Sequence, residues 1–228
     1  LSDATYSNCT LYVTSSTGVK SKSLSVTSFT VDATAPSLSQ VTAVTTPTKD
    51  NSPGYVFSSD EAGVISYGGS SCSQGETSAT QGTNSISFGT LSDGSYSCTI
   101  TVTDSAGNAS TALSVNTFVV DTTAPTLLQV TAVTTPTKDT TPSYVFASPE
   151  VGTISYGGSC DSDNTSATAG LNTITFNTLS EGSYSNCTIT VTDTAGNASS
   201  ALSVNTFVVD TTAPTLSQAL AVTTPTKD

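Results

Sequence analysis

The sequence predicts an all-β chain built from repeated sandwich domains. Short segments that alternate apolar and polar residues are separated by turn residues, and no helical periodicity is visible. The segment LSDGSYSCTITVTD, Leu91–Asp104, recurs in variant form at Leu1 and at Leu179, and each copy has a Tyr shortly before a Cys at the entrance to an alternating strand. An immunoglobulin-type sandwich has this pair at the start of strand F. The predicted fold class is therefore all-β, with tandem immunoglobulin-like β-sandwich domains.

The repeat has a fixed period. The motif TTPTKD ends at Asp50, Asp139 and Asp228, and 139 − 50 and 228 − 139 both give 89 residues. A period of this length matches one small all-β domain rather than a solenoid unit. We predict two complete domains with partial domains on either side. The boundaries are residues 1–32 (strands F and G of one domain), 33–121, 122–210, and 211–228 (the first strand of a further domain).

The second repeat shows the expected strand order. Alternation and turn signals predict six main strands: Thr126–Val133 (A), Thr141–Ser148 (B), Thr153–Gly157 (C), Asn172–Leu179 (E), Ser183–Thr192 (F) and Ser200–Val209 (G). The polar run Asp161–Gly170 leaves room for a short edge strand. In strand G, Leu202 and Val204 have the opposite phase to Phe207 and Val209. We therefore predict a bulge near residues 205–206.

The cysteines follow the repeat. The end of strand C lies opposite the start of strand F in this fold, which predicts the disulfides Cys72–Cys98 and Cys160–Cys187. Closing a loop of this size stabilises a domain by about 3.5 kcal/mol in the chain-entropy model. Disulfides indicate an oxidising compartment and hence export. Cys9 has the phase of Cys98, so we expect it to pair with a residue upstream of the segment. A reactive thiol or an intermolecular bridge is the alternative.

Composition excludes several classes of function. The formal net charge is −12, with 17 acidic residues against 5 Lys, which argues against nucleic acid as a partner. No apolar run reaches the roughly 18 residues of a membrane span, so we expect no membrane insertion in this segment. The chain has no His, and its Cys residues are expected to be paired, so neither a Ser–His nor a Cys–His nucleophile can be assembled. We therefore predict that it is not an enzyme.

Several motifs resemble those of a known family. TTPTKD before strand B, EAGVISYGGS around strand C, TVTDSAGNAS through the end of strand F, and VVDTTAPTL at the junction are similar to bacterial Ig-like domains. Such domains occur in tandem in large surface proteins and adhesins. The resemblance implies extracellular stalks, adhesive filaments or sheath components, and some related arrays bind Ca²⁺ between domains.

The junctions are the candidate metal sites. Strand G ends at the pole that the B–C and F–G loops of the next domain face, so oxygen-bearing side chains should gather there. Ca²⁺ prefers such ligands. The candidate interdomain Ca²⁺ ligands are Asp32, Asp60, Glu61, Asp104 and Asn108 at one junction, and Asp121, Glu150, Asp193 and Asn197 at the next. The alternative is structural, because D-x-A-G-N is a good hairpin turn and an Asp before T-A-P can cap a bend.

Two functions remain open at this point. In the first, the array is a force-bearing spacer at the bacterial cell surface that contacts copies of itself or neighbouring repeats in a filament or surface layer. In the second, the domains are adhesin modules that recognise glycans or host or neighbour-cell proteins through their pole loops. The near-identity of the copies favours the spacer, since a recognition site seldom needs many duplicates.

Overall fold

The computed structural model describes residues 1–69, 72 and 75–217. The chain divides into two compact units, Leu1–Thr123 and Ala124–Asp228. All regular elements in the described residues are β-strands, as predicted, and none of the described residues forms a helix that could cross a membrane. The predicted strand over residues 211–228 lies largely outside the described residues. The domain boundaries proposed from the repeat remain a prediction.

Unit 1 contains thirteen strands among its described residues. The first four form a hairpin in residues 1–32: β1 (Ala4–Tyr6), β2 (Thr10–Leu11), β3 (Leu24–Ser25) and β4 (Phe29–Val31). The others form a sandwich: β5 (Leu38–Thr42), β6 (Gly54–Ser59), β7 (Gly63–Gly68), β8 (Ser78–Ala79), β9 (Gly82–Ser87), β10 (Gly94–Tyr96), β11 (Thr99–Thr103), β12 (Leu113–Ser114) and β13 (Phe118–Val120).

The unit 1 sandwich has the predicted strand neighbours. One sheet has the order β5-β6-β9, and the other has the order β12-β11-β7-β8, with β10 paired to β13. These correspond to strands A-B-E and G-F-C, with β8 as the short edge strand. Alternation fixes which side chains face inward: Tyr55 and Phe57 of β6 and Ile100 and Val102 of β11 are fully buried. The core therefore lies between the two sheets.

Aromatic rings fill the centre of this core. The ring of Phe118 lies 5.6 Å from that of Phe88 and 5.5 Å from that of Tyr96. The hydroxyl of Tyr96 donates a 2.7 Å hydrogen bond to the carbonyl of Ser92. This bond satisfies the polar end of a mostly buried ring. The Tyr before the Cys therefore fixes the turn into strand F, as its position in the sequence indicated.

Over residues 124–217, unit 2 repeats this arrangement in nine strands. They are β14 (Leu128–Thr131), β15 (Ser143–Ser148), β16 (Gly152–Gly157), β17 (Ser166–Ala167), β18 (Gly170–Thr175), β19 (Gly182–Tyr184), β20 (Thr188–Asp193), β21 (Leu202–Ser203) and β22 (Phe207–Val209). The sheets have the orders β14-β15-β18 and β17-β16-β20-β21, with β19 paired to β22. The predicted short edge strand is β17.

Strands F and G differ from the prediction because each is broken in two. Strand F is β19 and β20, and strand G is β21 and β22. The break in G falls at residues 204–206, where the bulge was predicted. Val204 at the start of the break is buried, and so are Phe207 and Val209 after it. The side chain of Asn205 accepts a 2.9 Å hydrogen bond from the backbone N–H of Val133 and donates a 3.0 Å bond to its carbonyl. The break therefore ties the end of strand A to strand G.

A second contact holds the first strand against strand G. After β14 the chain passes the cis peptide bond Thr135–Pro136, and Thr137 forms a parallel bridge with Val209. Thr137 donates its backbone N–H to Val208 at 2.9 Å and accepts from Asp210 at 2.9 Å. Strand A thus contacts both sheets. The predicted strand E, Asn172–Leu179, begins and ends earlier, at Gly170 and Thr175, since it pairs with β15 over the full length of that strand.

Candidate functional site

The turn after strand F is built around one carboxylate. The Oδ1 of Asp104 accepts backbone N–H bonds from Ala106 at 2.8 Å and Asn108 at 2.9 Å, and its Oδ2 accepts from the Asn108 side-chain amide at 2.8 Å. Gly107, with φ of +96°, allows the tight turn. The Asn108 amide, followed by the backbone donors, lowers the pKa of the Asp104 carboxyl, while burial opposes this change.

Two further carboxylates meet Asp104. Oxygens of Asp32, at the end of β4, Glu61, in the β6–β7 turn, and Asp104 all lie within 4.8 Å of one another. They line an open depression of about 340 Å³ that also includes Asp60 and Gln81. The pKa of the Glu61 carboxyl is raised, and partial burial is the largest cause. The negative charges of Asp32, Asp104 and Asp60 raise this pKa further. Three converging carboxylates are suitable chemistry for Ca²⁺.

The other two predicted residues have different partners. Asp60 accepts a 2.6 Å hydrogen bond from the backbone N–H of Ser37 through Oδ1, so it holds the start of strand A as well as lining the depression. Asn108 donates its side-chain amide to the carbonyl of Asp32 at 3.1 Å. The N–H groups of Asn108 cannot bind a cation. The carboxylate oxygens that the structure brings within 4.8 Å of one another are those of Asp32, Glu61 and Asp104.

Unit 2 contains the same turn. Asp193 accepts from Gly196 N–H at 2.7 Å, Asn197 N–H at 2.9 Å and the Asn197 amide at 2.8 Å. Burial is the largest single influence on the Asp193 carboxyl and opposes ionisation, but these hydrogen bonds together lower its pKa. Glu150 precedes β16, and its carbonyl accepts a 2.7 Å bond from Ser148 Oγ. Asp121 belongs to unit 1, so the second predicted metal group remains a prediction.

Both predicted disulfides are present. Cys72 is bonded to Cys98, with Cα atoms 5.8 Å apart, and Cys160 is bonded to Cys187, with Cα atoms 5.3 Å apart. Cys160 follows β16 and Cys187 precedes β20, so the bond joins the end of strand C to the start of strand F. Among the described cysteines, Cys9 forms no disulfide. Its expected upstream partner remains a prediction.

The segment after strand G is anchored by a set of contacts that the sequence patterns did not predict. Asp93, just before β10, accepts hydrogen bonds from the N–H and Oγ1 of Thr122 at 2.9 and 2.7 Å. It also accepts from Thr123 Oγ1 at 2.6 Å. These hydrogen bonds lower the pKa of the Asp93 carboxyl, and the bond from Thr123 has the largest effect. The exit segment is thereby tied to the start of strand F in the same unit.

The same contact occurs at two other positions. In unit 2, Glu181 accepts hydrogen bonds from Thr211 Oγ1 at 2.9 Å and from Thr212 Oγ1 at 2.7 Å. These hydroxyls lower the pKa of the Glu181 carboxyl, and Thr212 has the larger effect. In the first hairpin, Asp3 accepts from Ala33 N–H at 3.0 Å and Thr34 Oγ1 at 2.5 Å. We call the three acid–linker contacts the linker anchors. A signal for these contacts is present in the sequence. The acid of the motif L-S-[DE] occurs in each repeat at about the same distance before the linker threonines.

Three features together define an immunoglobulin-type β-sandwich: the two-sheet core, the strand order, and the hydrogen bond from Tyr96 to the Ser92 carbonyl before strand F. The sequence profile described as "Bacterial Ig-like domain" matches residues 25–122, and that described as "Bacterial Ig-like domain (group 3)" matches residues 170–227. The chain belongs to the bacterial Ig-like domains, as its motifs indicated. Comparison with curated protein sequences gives no match.

Solved structures give weaker similarities. The D00-D0 domain of intimin is 15% identical, with a TM-score of 0.36 over 77% of this chain and 99% of that one. The fibronectin(III)-like modules of Clostridium thermocellum CbhA are 12% identical, with a TM-score of 0.40 over 76% of this chain and 94% of that one. A Bacteroides ovatus SGBP-B in complex with a mixed-linkage heptasaccharide is 20% identical, with a TM-score of 0.26 over 92% of this chain and 55% of that one. Scores this low add nothing to the assignment.

Proposed function

We propose that this chain is part of an extracellular array of bacterial Ig-like domains that acts as a force-bearing spacer in a stalk, fibre or sheath. The observation that carries the proposal is the linker anchor, which occurs at Asp3, Asp93 and Glu181. A spacer must hold the direction in which the chain leaves each domain, whereas a ligand-binding module has no such need. Repetition of the anchor in all three copies supports this role.

The linker anchor is a second attachment of the chain that leaves the domain, in addition to the pairing of its last strand. In unit 1, β13 pairs with β10, and the two threonines that follow β13 bond to Asp93, which precedes β10. A pull on the linker therefore loads side-chain hydrogen bonds before it reaches the β10–β13 pair. Charge-assisted hydrogen bonds of this kind are the stronger class. The Cys72–Cys98 bond then prevents extension of the chain between strands C and F.

Export and self-association complete this proposal. The disulfides support an oxidising location outside the cell. The partners we propose are neighbouring repeats or copies of the same chain in a filament or surface layer. The charge of −12 supports a soluble surface away from nucleic acid and anionic lipid.

A hinge measurement tests the spacer. Dyes placed on an exposed position of each unit report the distribution of inter-unit distances by single-molecule energy transfer. Asp93→Ala removes the anchor and should broaden this distribution, while Asp50→Ala, which removes a carboxylate that accepts from the Ser52 N–H within the same turn, should leave it unchanged. Equal widths in the wild type and Asp93→Ala would overturn the stiffening role. Specific retention of the chain on immobilised glycans would support the adhesin alternative instead.

We also propose Ca²⁺ binding at Asp32, Glu61 and Asp104, supported by the convergence of their oxygens. Titration calorimetry with CaCl₂ on the full chain should show binding, and Glu61→Gln should weaken it because one carboxylate is lost. Glu76→Gln is the matched control, since Glu76 lies elsewhere and bonds to the Ser87 N–H. Absence of heat at millimolar Ca²⁺ would exclude the metal and leave Asp104 as a turn residue. That result would not affect the spacer.

A further inference from the structure

The linker anchors of the two units differ in one chemical respect. Asp93 is followed by Gly94, and no other aspartate in the sequence precedes a glycine. In such a pair the glycine nitrogen can attack the aspartate Cγ, because a five-membered ring forms and the glycine has no side chain to obstruct it. Glu181 also precedes a glycine, Gly182, but its additional methylene would require a six-membered ring, which closes much less readily. The peptide bond between Asp93 and Gly94 is therefore chemically susceptible, and that after Glu181 is not.

The fold leaves this peptide bond open to the reaction. Asp93 and Gly94 are both exposed, at the turn where β10 begins. A methyl group at Gly94 would have only a ring carbon of Tyr96 within 4 Å, at 3.9 Å, and one at Gly182 would have no neighbour within that distance. Crowding therefore does not distinguish the two turns, and the length of the acid does.

The linker anchor restrains the reaction. The Oδ1 of Asp93 accepts hydrogen bonds from the N–H and Oγ1 of Thr122 at 2.9 and 2.7 Å, and its Oδ2 accepts one from Thr123 Oγ1 at 2.6 Å. Both carboxylate oxygens are therefore directed towards the exit segment. These bonds also favour the ionised carboxylate. An ionised carboxylate is a poor electrophile, because the attacking nitrogen must displace one of its oxygens as water. The reaction therefore requires the anchor to open.

We propose that Asp93–Gly94 is a site of spontaneous isoaspartate formation, and that the linker anchor keeps this site unreacted until the exit segment is released. In the first step the Gly94 nitrogen bonds to the Asp93 Cγ, and the carboxyl hydroxyl leaves with the amide proton as water. The product is a succinimide. In the second step water cleaves one of the two ring C–N bonds. Cleavage at Cγ restores aspartate, and cleavage at the backbone carbonyl gives isoaspartate. Water is the only other reactant.

The isoaspartate product cannot re-form the anchor. Its main chain runs through Cβ and Cγ of residue 93, so the backbone gains one carbon immediately before Gly94, which pairs with Val120. Its free carboxylate is attached directly to Cα and has a shorter reach towards Thr122 and Thr123. The modification would therefore preserve a record that the exit segment of unit 1 had been released. This proposal depends only on contacts within unit 1 and is independent of the spacer role.

The test measures isoaspartate at residue 93 in the full 228-residue chain during incubation in neutral buffer. Isoaspartate and aspartate have the same mass, so the peptides are separated by chromatography and identified by electron-transfer fragmentation. Thr122→Val with Thr123→Val removes the two hydroxyl donors and keeps the side-chain shape. We expect this variant to form isoaspartate about three- to tenfold faster than the wild type, since hydrogen bonds to an exposed charged group shift an opening equilibrium by about this factor.

Matched variants separate release of the anchor from other effects. Thr122→Ser with Thr123→Ser keeps both hydroxyls and should react at the wild-type rate. Asp93→Glu keeps an acid before the glycine and should give no product. Thr211→Val with Thr212→Val opens the corresponding anchor of unit 2 and should give no product there.

Three results would overturn the proposal. The first is an equal rate in the wild type and the Val variant. The second is a Ser variant as fast as the Val variant, which would show that the hydroxyls do not protect the site. The third is the absence of isoaspartate in the Val variant over a period in which a synthetic peptide of residues 91–99 forms it at Asp93.

Discussion

Reduction of the disulfides should lengthen the mechanical extension of each complete domain by a fixed amount. Cys72 and Cys98 are 26 residues apart in sequence, but their Cα atoms lie 5.8 Å apart. At roughly 3.5 Å per stretched residue, the segment spans about 90 Å once the bond is removed, a gain of about 85 Å. The sequence separation of 27 from Cys160 to Cys187 gives a gain of about 90 Å by the same calculation.

Single-molecule pulling on the full chain, tethered at its two ends, measures this gain. The contour-length increments of the two domains should both increase when reductant is added. Cys9→Ser should be present throughout so that only intradomain bonds are affected. The matched control is Cys72→Ser with Cys98→Ser. In this variant one increment should be long at the outset and insensitive to reductant, while the Cys160–Cys187 domain should still respond.

The refuting result is a specific one. If mass spectrometry confirms full reduction and both increments stay unchanged, the residues between the paired cysteines already extend in the oxidised domain. The bonds would then not bridge strands C and F in the folded state. A gain of half the calculated length would place the bridge between different residues, since the gain depends only on the number of residues enclosed.

Three further predictions concern stability. Asp93→Asn should lower the melting temperature of unit 1 at pH 7, and the difference from wild type should shrink as the pH falls below about 4, because the hydrogen bonds that lower the Asp93 pKa are lost as the pH falls through its folded value; a difference that stays constant throughout this acid range would contradict this. Burial first, and then Glu76, raises the pKa of Tyr67 to about 12, so its contribution to stability is present below pH 10 and is lost as the pH rises towards 12; Tyr67→Phe should flatten this alkaline loss in a series of urea titrations. Phe118→Ala should cost about 3–5 kcal/mol in urea unfolding, whereas Val119→Ala, on the outward face of the same strand, should cost far less, and equal costs would refute the assignment of the core.

Much of the fold was predictable because its determinants are local. Alternation in β6 and β15 identifies the inward-facing residues without knowledge of the partner strand. The pairing of Cys160 with Cys187 follows once strands C and F are known to be neighbours. The broken strand G was predictable only as a bulge. Its two halves pair with different parts of strand F, and the side chain of Asn205 bonds to Val133, 72 residues away. No local pattern specifies a partner at that distance.

The candidate site shows the same division. The meeting of Asp32, Glu61 and Asp104 was predictable from topology alone, because the fold brings those turns to one end of the sandwich. The direction of the Asn108 amide was not predictable, since it depends on which atoms in the turn already have partners. The linker anchors were missed because an acid in a polar turn is ordinarily a solvated residue, and only repetition distinguishes it.

The linker anchor also bears on how such an array can change in length during evolution. The acid of each anchor lies in one 89-residue period, while Thr122 and Thr123 lie just past the predicted repeat boundary at residue 121, in the next period. Every copy begins with threonine at one or both of these positions. Unequal recombination between copies, at any matched position, would therefore rejoin an acid to a suitable hydroxyl. Gene segments of one period can be gained or lost without a defective joint, so array length can vary independently of the integrity of its connections.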